Sequence, residues 1–221
     1  IIPGKEVAIE TRPSSIAENI LVTGAAGFIG TRVVDNLLGR GFNNIRCLIR
    51  DTTNIPKLER IISDHSGSSR AKIIVGNLLS QEDCARLVKD VVVIYHLAAG
   101  TGIKSFSDAY LNSVVTTRNL LEAALEQKCL RRFVNMSSFA VYTNRNKPRW
   151  RILDESCPIE EHPESRAEAY CFAKVKQDEL VTEYGQKHGL PFVILRPGNV
   201  FGPGKKSIPG RVGIDSFGLY L

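Results

Sequence analysis

Ile20-Leu21-Val22-Thr23 runs straight into Gly24-Ala25-Ala26-Gly27-Phe28-Ile29-Gly30, three glycines spaced three apart. The apolar run suits a strand buried on both faces, as in a parallel sheet. Gly24 permits a sharp turn, Gly27 lets the backbone approach a pyrophosphate, and Gly30 lets the following helix pack close to the strand. The unpaired amides at the start of that helix then meet phosphate charge. A glycine triplet alone is a weak signal, because glycine is common wherever a chain turns. Here the strand precedes it, and Phe28, Ile29, Val33, Val34, Leu37 and Leu38 follow at helical spacing. That is the context a dinucleotide site requires, so the segment predicts more than a strand-to-helix turn.

Beyond it, apolar runs of strand length alternate with helical patterns. Candidate strands are Ile45–Ile49, Ile73–Val75, Val91–His96, Phe133–Met136 and Phe192–Leu195, with helices near 28–39, 55–64, 81–89, 107–128 and 167–188. This alternation implies right-handed crossovers and a Rossmann-type α/β fold with a doubly wound parallel sheet. Residues 1–19, with Pro3, Gly4, Pro13, Ser14 and Ser15, read as a flexible N-terminal arm. Residues 20–204 read as the dinucleotide-binding domain and its catalytic residues. The strands are complete by Leu195, so 205–221 reads as the start of a substrate-binding segment that is cut short. Thr143–Arg166 is longer than an ordinary connection, and such loops are functional or disordered.

Composition narrows the partners. Hydrophobic content of 43% and charged content of 24% over 221 residues are ordinary for one soluble α/β domain. The net charge of +6 comes from scattered residues with no interleaved aromatics. That favours attraction for phosphorylated small molecules over nucleic acid. No apolar run approaches the ~18 residues of a membrane span, and no secretory signal pattern opens the chain. Cys47, Cys84, Cys129, Cys157 and Cys171 are odd in number and lack metal-type spacing. Reduced thiols in the cytoplasm, with no metal site, are the simplest expectation.

The strongest catalytic pattern is Tyr170-Cys171-Phe172-Ala173-Lys174, where positions four apart share one helix face. A tyrosine near its ordinary pKa of ~10 is a poor base at neutral pH. A nearby ammonium and an oxidised nicotinamide would both favour the phenolate and lower that value. Such a pair also recurs by chance on surface helices. Ser137-Ser138, between a strand and the long loop, strengthens it, because a hydroxyl there would hydrogen-bond a substrate oxygen. Taken alone, Asn112 reads as a helix-surface residue and His96 as a satisfied strand-tip histidine rather than an acid or metal ligand.

Together these residues resemble the extended short-chain dehydrogenase/reductases, the group that includes nucleotide-sugar epimerases and dehydratases. The resemblance spans roughly Asn19 to Gly204. It rests on Thr23–Gly30, Tyr95-His96-Leu97-Ala98-Ala99, Met136-Ser137-Ser138-Phe139-Ala140-Val141-Tyr142, Tyr170 with Lys174, and Arg196-Pro197-Gly198-Asn199-Val200-Phe201-Gly202-Pro203. By resemblance, Tyr170 is the general acid/base, Ser138 its partner on the substrate oxygen, and Asn112 a proton-relay residue. Lys174 holds the nicotinamide ribose and depresses the tyrosine. Gly24, Gly27, Phe28, Ile29 and Gly30 form the cradle, Leu97, Ala98 and Ala99 line the dinucleotide, and Pro197 and Gly198 border the nicotinamide. Asn77-Leu78 contacts the adenine, although Asn77 replaces a frequent Asp. Cys171 and Ala173 stand where Gly and Ser are common. Helices 107–128 and 167–188 imply a homodimer, and relatives carry a C-terminal segment over the substrate.

Cofactor choice turns on the tip of the second strand, Leu48-Ile49-Arg50-Asp51. An arginine there accepts the 2′-phosphate of NADP, whereas an acid bonds the ribose hydroxyl of NAD. Arg50 comes first and favours NADP; a one-residue shift to Asp51 reverses the choice and keeps NAD open. Arg32 either adds to a phosphate pocket or is solvated. Dehydratases of this group resemble one another in an Asp-Glu pair after the catalytic hydroxyl, but Phe139 and Ala140 follow Ser138. Three readings remain: hydride transfer on a nucleotide sugar, a reductase or dehydrogenase of a non-sugar alcohol such as a hydroxysteroid-like or flavonoid-like one, and a non-catalytic NADP binder.

Overall fold

The computed structural model describes residues 17–50, 55–65, 71–100, 105–143, 152–166 and 168–204, and the backbone alone of 215–216 and 219–220. Six strands, β1 (Ile20–Thr23), β2 (Ile45–Ile49), β3 (Ala71–Val75), β4 (Val93–His96), β5 (Arg132–Met136) and β6 (Phe192–Leu195), form one sheet in the order β3-β2-β1-β4-β5-β6. Every neighbouring pair is parallel. The helices are α1 (Phe28–Gly39), α2 (Ile55–Asp64), α3 (Gln81–Val88), α4 (Phe106–Tyr110), α5 (Thr116–Leu125) and α6 (Ala169–His188). This is the doubly wound Rossmann arrangement the sequence predicts. Its strand order reverses between β1 and β4, which opens a crevice at their carboxyl ends.

Strand β1 shows why the apolar run matters. Alternate strand residues face opposite sides of a sheet. Leu21 joins a core with Ile94, Leu120, Leu121, Phe133 and Val181, on the side of α3, α5 and α6. Ile20 and Val22 join the other core with Val34, Leu38, Cys47 and Leu58, beneath α1 and α2. Each such side chain contributes about 1.5–3 kcal/mol by leaving water, and β1 anchors both layers.

The expected boundaries shift in places. Strand β3 starts at Ala71 rather than Ile73, and β4 at Val93 rather than Val91. Helix α3 stops at Val88, because Asp90 takes φ 61° and Val91 N–H turns back to the Val88 carbonyl. The largest departure is the helix expected over 107–128. It is broken by a π-turn, Leu111–Val115, between α4 and α5. The Thr116 hydroxyl bonds the Asn112 carbonyl at 3.0 Å and the Thr117 hydroxyl bonds that of Ser113 at 2.5 Å. These side-chain bonds satisfy carbonyls that the widened turn leaves displaced.

Within Thr143–Arg166, Ile159 bridges to Tyr142 and Pro163–Arg166 makes a 3₁₀ turn. Val141, Tyr142, Cys157, Cys171 and Val175 form a small core beneath this loop. Most of the expected N-terminal arm and the side chains of 205–221 lie outside the described residues. Backbone pairing there joins β7 (Asp215–Ser216) to β8 (Leu219–Tyr220). No helix among the described residues is long and apolar enough to cross a membrane.

Candidate active site

The turn from β1 into α1 is closed against any side chain. Gly24 takes φ +64°, and a Cβ there would lie 3.0 Å from the Ala98 nitrogen. A Cβ on Gly30 would come within 2.1 Å of the Gly24 carbonyl oxygen and 2.8 Å of Ala25 Cα. Gly27 caps α1 without a side-chain hydrogen bond, so the amides of the first turn face the crevice unclaimed by a cap. These features fit a pyrophosphate at a helix N-terminus.

The crevice is a cleft of about 580 Å³, within the range of small-molecule sites. The expected cradle residues Gly24, Gly27, Phe28, Ile29 and Gly30 line it, with Arg50 beyond β2, Asn77 and Leu78 beyond β3, and Leu97, Ala98 and Ala99 beyond β4. Asp51 lies outside the described residues. Asn77 makes its own turn, its Oδ1 accepting from Leu79 N–H at 3.0 Å, and its backbone N–H donates to Asp83. Arg32 is not simply solvated and does not line the cleft; it bonds the Pro203 carbonyl at 2.9 Å and ties α1 to the 196–204 segment.

Asn112 lines the same cleft from the π-turn. Its Oδ1 accepts from Arg50 Nη1 at 2.9 Å, while its Nδ2 donates to the Asp108 carbonyl at 2.9 Å. The Ser113 hydroxyl, one residue on, accepts from Gly100 N–H at 3.0 Å and pins the loop after β4 to this turn.

The other expected catalytic residues gather at β5 and α6, outside the lining of the large cleft. Ser138 accepts from Ala140 N–H at 3.2 Å and hydrogen-bonds the Tyr170 phenol. Burial raises the pKa of that phenol, and the Ser138 bond opposes the rise. Lys174 is buried, and its ammonium donates to the Met136 carbonyl at 2.6 Å and to Gln177 Oε1 at 2.8 Å. Burial pushes this lysine down to about 8, against the opposing charge of Asp178. In this structure burial outweighs the lowering of Tyr170 expected from Lys174. The ammonium is turned to Met136 and Gln177, and desolvation governs the phenol.

Asp178, one turn after Lys174, accepts from Arg196 Nε at 2.9 Å and from Asn135 Nδ2 at 3.3 Å. Pro197 lends its carbonyl to Phe139 N–H at 3.0 Å. Gly198 lines a separate cavity of about 260 Å³ with Phe139, Tyr142 and Arg196, not the large cleft. His96 is fully buried with both ring nitrogens bonded, to Thr23 at 2.9 Å and Thr117 at 2.8 Å, as a satisfied histidine should be.

Several lining residues escaped the sequence reading. Thr116 reaches the cleft one helical turn after Asn112, and Val200 three residues after Pro197. The i, i+4 spacing would have found the first. Gln177, the partner of Lys174, was signalled only by a polar residue within a helix that packs on the sheet.

The model of the NAD dependent epimerase/dehydratase family matches residues 20–214. The chain belongs to that family. A trifunctional UDP-glucose 4,6-dehydratase/UDP-4-keto-6-deoxy-D-glucose 3,5-epimerase/UDP-4-keto-L-rhamnose-reductase of Arabidopsis thaliana is 28% identical over 84% of this chain and 28% of its own length. Cinnamoyl-CoA reductase 1 of Oryza sativa subsp. japonica is 30% identical over 83% of this chain and 54% of its own. Among solved structures, UDP-glucuronic acid 4-epimerase from Bacillus cereus in complex with NAD aligns with a TM-score of 0.68 at 29% identity, covering 83% of this chain and 57% of that one. The dTDP-glucose 4,6-dehydratase DesIV from Streptomyces venezuelae, with NAD bound, aligns at 0.71 and 27% identity over 85% and 57%. The chain thus spans between about a quarter and just over half of the length of these relatives.

Proposed function

We propose that the chain carries the dinucleotide site and the proton-transfer residues of an enzyme that moves hydride between a nicotinamide and a secondary alcohol or ketone, on a nucleotide sugar. The observation that carries this reading is the placement of the Ser138 hydroxyl beside the half-buried Tyr170 phenol beyond β5, the strand next to the one whose exit loop walls the dinucleotide cleft. The bound nicotinamide supplies or accepts the hydride. Burial keeps the Tyr170 phenol protonated at neutral pH, so in the reducing direction it gives its proton to the carbonyl oxygen. Ser138 orients that exchange. Lys174 holds the ribose, and Asn112, fixed at the cleft wall by Arg50 and Asp108, is the relay residue. Pro197 and Gly198, on the segment whose Val200 lines the cleft, border the nicotinamide.

We assign NADP as the cofactor on Arg50, which lines the cleft. NAD is the alternative, supported by the solved relatives that hold it. The similarity to a cinnamoyl-CoA reductase and the absence of an acid pair after Ser138 favour a second reading, a reductase of a non-sugar carbonyl. All five cysteines are free thiols, which supports a cytoplasmic setting. A homodimer through α4, α5 and α6 is supported by the exposed Phe106 and Leu111.

Tyr170→Phe tests the mechanism. Turnover of NADPH or NADP⁺ across sugar and non-sugar panels should fall by about 100-fold or more, with dinucleotide affinity nearly unchanged. Lost affinity with intact turnover would refute the role given to Tyr170.

A further inference from the structure

A buried chain of side chains runs from the wall of the dinucleotide cleft to Lys174. The Thr23 hydroxyl accepts the amides of Leu97 at 3.1 Å and Ala98 at 3.2 Å, both cleft residues. With both lone pairs engaged, it has only its proton left to give, and His96 Nδ1 receives it at 2.9 Å. Nδ1 therefore carries no hydrogen, and the neutral ring holds its own on Nε2, 2.8 Å from the Thr117 hydroxyl. Thr117 spends its proton on the Ser113 carbonyl and so accepts from both His96 and Gln177 Nε2, the latter at 2.7 Å. Gln177 is thereby oriented with Oε1 toward the Lys174 ammonium at 2.8 Å. Thr23, His96, Thr117 and Gln177 are fully buried and Lys174 nearly so. Donor and acceptor capacities leave one direction for the whole chain.

We infer that Thr117 and Gln177 are positioning residues that hold the Lys174 ammonium against the Met136 carbonyl and tie its place to the amides of Leu97 and Ala98 in the cofactor wall. The inference rests on reading Lys174 as the lysine that meets the nicotinamide ribose. Two of its three protons are committed to Met136 and Gln177, which leaves the third for a ribose hydroxyl. An ammonium this buried is costly unless acceptors surround it, and the chain supplies one of them in a fixed orientation.

The charged and titratable groups around it are consistent with this arrangement. On α6, Asp178 opposes the lysine's downward shift, and Tyr170 lies one turn before it. Beyond β6, Arg196 is engaged with Asp178. From β4, His96 is pushed down to about 3 by burial and by the Lys174 charge, so it stays a neutral link. From β5 comes the Met136 carbonyl.

The test is a titration of ¹⁵N-lysine-labelled protein by NMR, with the Lys174 resonance assigned by its loss in Lys174→Arg. The wild-type ammonium should titrate near 8. Gln177→Met, which removes the acceptor, should lower that midpoint by about one unit. Thr117→Val should lower it in the same direction, and Thr117→Ser, which keeps the hydroxyl, should restore it. An unchanged midpoint in Gln177→Met and Thr117→Val overturns the proposal, as does a shift that persists in Thr117→Ser. A wild-type measurement stands beside these: ¹⁵N-histidine spectra should show His96 as the Nε2–H tautomer from pH 8 to pH 5. An Nδ1–H tautomer or an imidazolium at pH 5 overturns the directed chain. None of these readouts uses turnover, so failure of hydride transfer and failure of the network are seen separately.

Discussion

Acid should destabilise this fold through His96, by an amount the structure sets. The imidazole is fully buried, and desolvation together with the Lys174 charge pushes its pKa from 6.5 down to about 3. In the unfolded chain the ring takes a proton below 6.5, while the folded ring stays neutral down to about 3. A depressed base therefore stabilises the fold fully above 6.5, and that stability is lost as pH falls. Between pH 7 and pH 5 the loss is about 1.5 units at about 1.36 kcal/mol each, or roughly 2 kcal/mol. That is a large share of the 5–15 kcal/mol typical of a folded domain. Asp178 contributes with the opposite sign, because burial raises its pKa, so the total slope does not isolate the histidine. The difference between wild type and His96→Gln does, since glutamine keeps a donor and an acceptor but does not titrate. Urea unfolding followed by far-UV circular dichroism at pH 5, 6 and 7 gives both slopes. The wild type should lose about 2 kcal/mol more than the variant over this range. Equal slopes would mean that His96 is protonated in the fold, and would refute the neutral link argued above.

Two further outcomes follow from the cradle and its rim. Gly30→Ala sets a Cβ 2.1 Å from the Gly24 carbonyl oxygen and 2.8 Å from Ala25 Cα. Backbone must shift, so stability should fall by about 1–3 kcal/mol, and NADPH affinity, read by fluorescence titration, should drop with it. Unchanged affinity would show that the cleft does not seat a pyrophosphate at this turn. Arg50→Asp should move preference from NADP toward NAD in the same titration. An unaltered ratio would mean that another group reads the ribose.

The fold was legible because its determinants are local. The run at Ile20–Thr23 must be apolar on both sides, since Leu21 and Val22 enter different cores. Gly24 and Gly30 must lack a Cβ, because the atoms they would strike belong to the turn itself or to the loop after β4. Period and composition carry such constraints directly. The break in the 107–128 helix was hidden for the opposite reason. Leu111–Val115 keeps helical periodicity in its residues, and what widens the turn is the bonding of Thr116 and Thr117 back to carbonyls, which spacing alone does not announce.

The site divides along the same line. Which residues share a face was readable, so Tyr170 and Lys174 could be paired on α6. Which way each side chain turns was not, because that depends on partners far along the chain. Arg50 meets Asn112 across 62 residues, and Gln177 meets Thr117 across 60. The Tyr170 phenol makes the consequence concrete. Spacing puts an ammonium one turn away and argues for a lowered pKa. Packing spends that ammonium on Met136 and Gln177 and takes the phenol out of water, and desolvation prevails.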